Sequence, residues 1–197
     1  MEEFFECQNL TLGYGNQLVI NGLSVSLKLT ESYEITGKNG SGKSTLLNCI
    51  SDNFLGNSFN SEIHRSKVTL KQISSTTTLI PRLTLMENVD YFLNFININS
   101  NEKLKVLENY QLLNFQHEYI INFSNGMIKR SELAIVDLMD PQILCIDEPY
   151  IYLDSQGIEL LKKLINERIL RNKSNVLSSQ INTDLITSRY NNIDLNV

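Results

Sequence analysis

The sequence has too few cysteines and histidines for a disulfide scaffold or a zinc fold. Its three cysteines, Cys7, Cys49 and Cys145, are an odd number with no C-x-x-C spacing. This usage excludes a disulfide-stapled domain and a cysteine-rich zinc site, and it suggests a reducing compartment. The two histidines, His64 and His117, lie far apart in the sequence and form no metal-ligand pattern.

An excess of positive charge and a long apolar run are also missing. The 17 basic and 22 acidic residues give a formal net charge of -5, which argues against nucleic acid or an anionic membrane bound by bulk charge. No apolar run approaches the roughly 18 to 20 residues that cross a bilayer, so we expect no membrane span. The acidic start MEEFFECQNL fits neither a secretory signal nor an Arg-rich presequence. We therefore expect the protein to work in the compartment where it is made.

The apolar residues that are present, 42% of 197, are enough for one α/β domain. The segment NGLSVSLKL alternates apolar and polar residues as a half-buried strand does, and QILCID and SNVLSS have the pattern of buried parallel strands. Residues 85–129 are mostly helical in pattern, with ENVDYFLNFI and EKLKVLENYQLL as the clearest segments and a turn at 97–101. Strand–helix alternation at both ends with a helical insert predicts an α/β fold that carries a small helical subdomain.

A phosphate-binding loop is the strongest motif in the chain. Residues 37–45 read GKNGSGKST and match G-x-x-x-x-G-K-[ST] between a predicted strand and a predicted helix. Backbone N–H groups in such a loop form an anion-binding nest, and the helix N-terminus adds its dipole. Lys43 is expected to reach the β- and γ-phosphates, and Ser44 to bind Mg²⁺. The predicted ATP-binding residues of this loop are Gly37, Lys38, Asn39, Gly40, Ser41, Gly42, Lys43, Ser44 and Thr45.

An acidic pair at the end of the strand QILCID is the second part of the expected nucleotide site. An Asp in the place of Asp147 can hold Mg²⁺ through water, and a following Glu, here Glu148, can polarise the attacking water. A lone Asp-Glu pair at a strand end is usually a solvated turn. Behind a phosphate loop in the same domain, the catalytic interpretation is the favoured one.

Three further segments make the sequence resemble the ATP-binding cassette family over nearly its whole length. FSNGMIKR, residues 123–130, is similar to the family signature L-S-G-G-Q-x-x-R, with Ser124, Asn125 and Gly126 at the positions that bind ATP of the opposite subunit. IYLD, residues 151–154, resembles the D-loop and ends in Asp154. Tyr14, in LGYGN, is similar to the aromatic residue that stacks on adenine.

The resemblance implies a fold and an assembly. It implies an α/β P-loop NTPase fold in one ABC ATPase domain, residues 1–197, with an N-terminal antiparallel β subdomain and a helical subdomain at about 85–133. It also implies a head-to-tail homodimer that clamps two ATP molecules with Mg²⁺, and separate integral membrane subunits as partners. The chain itself is expected to bind no nucleic acid.

Two positions depart from the family pattern. The Q-loop glutamine should lie about nine residues before TLMEN, which places Ser75 there, or Thr76 if the loop is shorter, while Gln72 is three residues early. Gln180 stands where the family has its switch histidine, in VLSSQ. A glutamine amide donates to a phosphate oxygen but cannot carry positive charge. We therefore expect ATP hydrolysis that is slower than in a typical member, with Glu148 and Gln180 as the catalytic residues and ATP binding intact.

Within the family, the sequence resembles the ATP-binding subunit of the haem exporter of cytochrome c maturation. The resemblance is carried by DEPYIYLDSQG, by LTLMENVDYF and by the short chain, which ends soon after Gln180 with no appended domain. It implies transport-coupled ATPase activity that drives release of haem-loaded chaperone. The acidic start and a composition rich in Asn and Ile, with Ala134 as the single alanine, suggest an AT-rich bacterial or mitochondrial genome. The expected location is peripheral, on the inner face of the bacterial plasma membrane or of the mitochondrial inner membrane, on the cytoplasm or matrix side.

Other classes of function stay open at this point. FSNGM is also similar to the subunits of simple drug or polysaccharide exporters. A soluble cassette protein of the ribosome or of DNA repair, a small-molecule kinase with a phosphate loop, and a subunit that binds ATP without hydrolysing it are the alternatives. A kinase has no need of FSNGM or IYLD, and soluble cassette proteins usually carry two cassettes or a long insert.

Overall fold

The computed structural model of the protein describes residues 2–59, 61–180, 185 and 190–196. The chain forms two compact units. The first unit comprises Met1–Gln72, Gln142–Pro149 and Ile165–Val197, and the second comprises Ile73–Pro141 and Tyr150–Leu164. Within the described ranges, no helix is both long enough and apolar enough to span a membrane.

An antiparallel sheet forms the N-terminal part of the first unit. Its strands are β1 (Glu3–Tyr14), β2 (Gln17–Lys28), β4 (Asn57–Phe59) and β5 (Glu62–Arg65), in the order β2-β1-β4 with β5 also paired to β1. Strands β1 and β2 are joined by a two-residue turn in which Gly15 has φ 57°, a conformation that glycine adopts without strain. The expected antiparallel β subdomain is confirmed.

A parallel sheet brings the remaining motifs of the first unit to one edge. It consists of β3 (Ser32–Thr36), β6 (Leu70–Ile73), β7 (Ile143–Asp147), β8 (Ser174–Ser179) and β9 (Asn191–Asp194), in the order β6-β7-β8-β3-β9. Residues of β3, β7 and β8 are almost all buried, as is typical of strands inside a parallel sheet. Because these three strands are parallel neighbours, the phosphate loop, Asp147 and Gln180 all follow carboxyl ends at the same edge, where α/β sheets bind ligands.

The phosphate loop leads into α1 (Lys43–Ile50), the helix that the sequence predicts. Its apolar side packs into the main core of the unit, together with residues from both sheets. The core residues with no exposed surface are Phe5, Leu10, Leu12, Leu27, Ile35, Leu46, Leu47, Cys145 and Val176. The core therefore fixes the two sides of the phosphate loop, β3 and α1, against the same apolar cluster.

The second unit is helical. It contains α2 (Leu85–Phe92), α3 (Ser100–Asn109) and α4 (Asn125–Met139), and α5 (Ser155–Leu170) begins in it and ends in the first unit. Each of the first three helices starts at a side chain that accepts a backbone N–H: Thr84 from Glu87, Asn99 from Glu102 and Ser124 from Met127. The expected helical subdomain, 85–133, lies within this unit.

The helices of the second unit are shorter than their sequence pattern predicts. ENVDYFLNFI predicts a helix to Ile96, but α2 ends at Phe92, and Phe95, in the predicted last turn, is 97% exposed. EKLKVLENYQLL predicts a helix to Leu113, but α3 ends at Asn109 because Gln111 adopts φ 59°. Single 3-10 turns occupy part of the remaining stretch to Ser124. The predicted turn at 97–101 lies too late, because Asn99 caps α3 and Ser100 begins it.

Candidate nucleotide site

The phosphate loop presents unpaired helix donors to the space in front of it. Gly42 is the N-cap of α1 with φ 98°, and among the described residues no side chain caps this helix. The first helical hydrogen bond is donated by the Leu46 N–H to the Gly42 carbonyl, at 2.8 Å, so the preceding N–H groups have no helical acceptor. A Cβ at position 42 would lie 2.9 Å from Cγ1 of Ile20. Glycine is therefore required here, and the donors fit an anion.

Lys43 lies inside the loop rather than in solvent. The residue is only 5% exposed. Its Nζ donates to the Gly37 carbonyl at 2.9 Å and to the Lys38 carbonyl at 3.2 Å, and it lies 3.9 Å from Oε1 of Glu148. These contacts hold the ammonium at the loop with one carboxylate as its counter-ion. A phosphate entering the loop would find the cation already positioned.

The acidic pair is fixed by the neighbouring strand β8. The Glu148 N–H donates to the Ser178 carbonyl at 2.9 Å, and the Ser178 hydroxyl donates to Oδ1 of Asp147. Glu148 adopts φ 50°, a strained conformation for a residue with a side chain. Burial raises the pKa of the Glu148 carboxyl, Lys43 opposes the rise and Asp147 adds to it. A carboxylate with a raised pKa is better suited to accept a proton near neutral pH than an ordinary one.

A cavity of about 390 Å³ joins these groups. Its lining residues are Tyr14, Gln17, Val19, Asn39, Gly40, Gly42, Lys43, Ser44, Thr45 and Glu148. The Tyr14 ring is 48% exposed and stands edge-to-face against Phe54, with 5.4 Å between ring centroids. One end of the cavity thus offers an aromatic surface and the other offers phosphate donors, which fits a nucleotide.

The cavity gathers most, but not all, of the predicted residues of the first unit. Gly37, Lys38 and Ser41 build the loop behind the lining, where Lys38 N–H donates to the Asn196 side chain at 2.9 Å. Asp147 is half-buried behind Glu148, and Gln180 is exposed directly after β8. Sequence reasoning missed Gln17 and Val19 of the lining, and Phe54, which supports Tyr14. The hairpin register, which pairs Gln17 with Tyr14, could have indicated the first of these.

The signature segment lies in the second unit, at the start of α4. Ser124 is exposed and its hydroxyl accepts the Met127 N–H at 3.2 Å, so it is the N-cap of the helix. Asn125 is exposed, and a Cβ at Gly126 would lie 3.5 Å from the Tyr152 carbonyl of the D-loop. Because no acidic residue occupies the first turn, the helix N-terminus keeps its positive potential.

Asp154, the last residue of the D-loop, has a structural role in this chain. Its Oδ1 accepts the Gly157 N–H at 2.7 Å, so the carboxylate caps the start of α5. A Cβ at Gly157 would lie 2.8 Å from Cδ2 of Leu153 and 3.2 Å from Oδ1 of Asp154. The glycine that follows the D-loop is therefore explained by local packing around this cap.

The side chain of Gln72 is engaged elsewhere than at the nucleotide site. It lies in β6, where Oε1 accepts from the Ser51 hydroxyl at 2.6 Å and from Asn53 at 2.7 Å, and its Nε2 donates to Asn48 at 2.7 Å. These partners lie at the C-terminal end of α1, away from its N-terminal anion donors. Ser75, the expected Q-loop position, is exposed in the segment that follows β6.

Known proteins with similar sequences include several named as ATP-binding proteins. The linearmycin resistance ATP-binding protein LnrL of Bacillus subtilis is 29% identical over 81% of this chain and 57% of its own length. The Nod factor export ATP-binding protein I of Burkholderia orbicola is 27% identical over 87% and 61%, and the lantibiotic transport ATP-binding protein SrtF of Streptococcus pyogenes is 26% identical over 88% and 79%. The chain thus spans less than two thirds of the first two relatives.

Solved structures and a family model agree with the fold. The ATP-binding subunit of an ABC transporter matches with TM-score 0.78 at 24% identity over 90% of this chain and 80% of its own. An ATP-binding cassette solved as a dimer bound to ADP and phosphate matches with TM-score 0.77 at 23% identity, over 92% and 89%. The ABC transporter family model matches residues 20–151, which include the phosphate loop, the signature segment and the acidic pair. The chain therefore belongs to the ABC transporter family and has its P-loop ATPase fold.

Proposed function

We propose that this chain is the ATP-binding and ATP-hydrolysing subunit of an ABC exporter. The observation that carries the proposal is the cavity in which Lys43, the free donors of α1 and Glu148 meet, with Glu148 Oε1 3.9 Å from the Lys43 ammonium. A phosphate cradle alone supports binding. A carboxylate with a raised pKa beside that cradle supports hydrolysis.

The residues divide the work between binding and proton transfer. The first turn of α1 and Lys43 bind the phosphates, and Tyr14, held by Phe54, stacks on the base. Ser44 and Asp147 are the residues that would hold Mg²⁺, which neutralises charge on the phosphates when bound. Glu148 accepts the proton of the attacking water. The Lys43 ammonium stays close to the Glu148 carboxylate during the reaction, because Lys43 donates hydrogen bonds to the loop carbonyls.

A second copy of the chain completes the site in this proposal. Ser124, Asn125 and Gly126 stand at an exposed helix N-terminus without an anionic partner in its first turn, which is the arrangement that binds phosphate. Ser124 caps the helix through one oxygen lone pair and keeps its proton to donate. A head-to-tail homodimer would place this cradle against the ATP held by the other copy, with Asp154 beside it.

Hydrolysis is expected to be slow because Gln180 offers an uncharged donor. Replacing Gln180 with histidine should raise the turnover by about tenfold, the effect of 1.4 kcal/mol of added transition-state stabilisation, while Gln180→Ala should lower it. The measurement is steady-state phosphate release, with Gln8→His, an exposed change on β1, as the control. Turnover typical of ordinary transporter ATPases that does not change in Gln180→Ala would contradict this prediction.

The partners in this proposal are integral membrane subunits, and the contact surface lies around the end of α2. Tyr91 and Phe95 are 60% and 97% exposed, whereas Leu93 is 2% exposed. Exposed aromatic residues in one short segment favour contact with another protein. Phe95 is therefore available to contact a membrane subunit, whereas Leu93 belongs to the core.

The specific candidate is the haem exporter of cytochrome c maturation, supported by DEPYIYLDSQG and LTLMENVDYF. Both segments also have structural reasons in this chain. In DEPYIYLDSQG, Gly157 packs against the Asp154 cap. In LTLMENVDYF, Thr84 and Glu87 form a capping box. The buried Asn88 side chain forms hydrogen bonds with the Ile80 backbone. The motifs therefore support this assignment only in combination. The proposed location is the inner face of the bacterial plasma membrane or the matrix face of the mitochondrial inner membrane.

The second candidate is an exporter of drugs, peptides or oligosaccharides. It is favoured by the names of similar proteins, which include linearmycin resistance, lantibiotic transport and Nod factor export. FSNGM fits this class as well. The two candidates predict the same ATP chemistry and differ in the membrane subunits and in the cargo.

Purification from membranes tests the proposal. The tagged protein, isolated from detergent-solubilised membranes with ATP, is expected to retain integral membrane subunits, and removal of its gene should lower covalently attached c-type haem. Normal cytochrome c with lost resistance to an amphipathic antibiotic would favour the second candidate. Recovery with ribosomes, or as a monomer that transfers phosphate to a small molecule, would contradict both.

A further inference from the structure

We propose that a buried ion pair, Lys129 with Glu132, couples the segment 74–78 to the signature helix α4, so that movement of one is carried to the other. The inference rests on the proposed function, since it concerns how Ser124 is positioned toward ATP. Both residues act as positioning residues and neither is assigned contact with nucleotide. The pair and both of its backbone partners lie in the second unit.

The contacts of the pair reach both ends of the segment. Lys129 Nζ lies 2.7 Å from Oε2 of Glu132 and also donates to the Ser74 carbonyl. Oε1 of Glu132 accepts the Thr78 N–H at 3.3 Å. The two charged groups therefore hold the backbone immediately before and shortly after Ser75, the expected Q-loop position.

Both charged side chains of the pair are buried, so their contacts are shielded from water. Lys129 is 7% exposed and Glu132 is 5% exposed. Removing two charges from water costs free energy that apolar side chains of the same size would not cost. The ion pair and its two backbone hydrogen bonds can form together in only one arrangement of segment 74–78 and α4. The segment and α4 are thereby fixed to each other.

The helix carries that constraint to the signature segment. Lys129 follows Ser124 by five residues in α4, which is about 7.5 Å along a helix at 1.5 Å per residue. At the other end, Ser75 and Thr76 are exposed and are open to contact by another subunit. Displacement of 74–78 would therefore shift Ser124, and ATP at Ser124 would restrain 74–78.

The test uses hydrogen–deuterium exchange in a Glu148→Gln background, which keeps ATP bound. Addition of ATP with Mg²⁺ is expected to slow amide exchange in both 124–128 and 74–78. The double variant Lys129→Met/Glu132→Leu removes both charges and keeps the volume, so it folds where a single change would leave one buried charge unpaired. In it, the ATP-dependent slowing at 74–78 should fall by at least about fivefold, the lower range for coupled sites, while 124–128 still responds.

The matched control is Lys103→Met/Asp90→Leu. That pair also lies in the second unit with an N–O distance of 2.7 Å, but its carboxylate side chain is 57% exposed, and its removal should leave the response at 74–78 unchanged. An undiminished response in the Lys129→Met/Glu132→Leu protein would overturn the coupling and leave the proposed function standing. No ATP-dependent slowing at 124–128 in the Glu148→Gln parent would overturn both.

Discussion

Replacement of Lys43 with methionine is expected to weaken the affinity for ATP strongly while leaving the fold intact. Methionine fills the volume of the lysine stem, so the buried apolar contacts of α1 are kept. The ammonium, which is held by two loop carbonyls at 2.9 and 3.2 Å, is lost. Truncating one member of a buried charged hydrogen bond costs about 2–5 kcal/mol, which corresponds to an increase in Kd of about 30-fold or more.

Calorimetric titration with ATP and Mg²⁺ measures this change. The control is Lys67→Met, because Lys67 is exposed outside the loop and its loss alters the net charge equally. A denaturant midpoint close to that of the parent would show that both variants are folded. Unaltered affinity in Lys43→Met would mean that the loop is not the phosphate site.

The second large effect is expected for Glu148→Gln. The amide keeps the shape of the side chain and the backbone bond to Ser178, at 2.9 Å, but cannot take a proton from water. Loss of a general base typically lowers the rate by about 10²- to 10⁴-fold. Binding should not weaken, because a negative charge is removed from beside the phosphates. The expected result is a protein that retains ATP and accumulates as a dimer.

Single-turnover phosphate release and sedimentation with ATP measure the two parts of this prediction. Glu159→Gln, on α5 with a side chain that is 74% exposed, is the matched control and should hydrolyse ATP as the parent does. Hydrolysis by Glu148→Gln at close to the parent rate would assign the base elsewhere. A monomer that still binds ATP would count against the dimeric site.

The strands and the phosphate loop could be predicted because their signals are local. GKNGSGKST needs only its own glycines and the following helix, and the short segments ILCID and SNVLSS form the buried strands that their patterns predict. The ends of the helices were harder to predict from the sequence. The end of α3 is set by one left-handed residue, Gln111 at φ 59°, for which the sequence pattern contains no glycine signal.

The features missed by sequence reasoning depend on tertiary contacts. Lys129 and Glu132 have the i,i+3 spacing of an ordinary surface pair, and only the fold buries them. Phe54 supports Tyr14 from a loop 40 positions along the chain (54 − 14). Gln72 is occupied by three side chains from the end of α1, which no motif could indicate. Besides the ends of helices, the burial of side chains and the choice of their hydrogen-bond partners could not be predicted from the sequence.

The ATP site of one copy is expected to be completed by Ser124 of another copy, and a mixture of two inactive variants checks this. Ser124→Asp keeps a good helix cap but sets a negative charge against phosphate, so this variant and Lys43→Met should each be inactive alone. Mixed together, they form a heterodimer with one intact site, made from Lys43 of one copy and Ser124 of the other. We expect the mixture to regain ATP hydrolysis well above the sum of the separate rates. A mixture no more active than that sum, or a Ser124→Asp protein that is fully active alone, would contradict it.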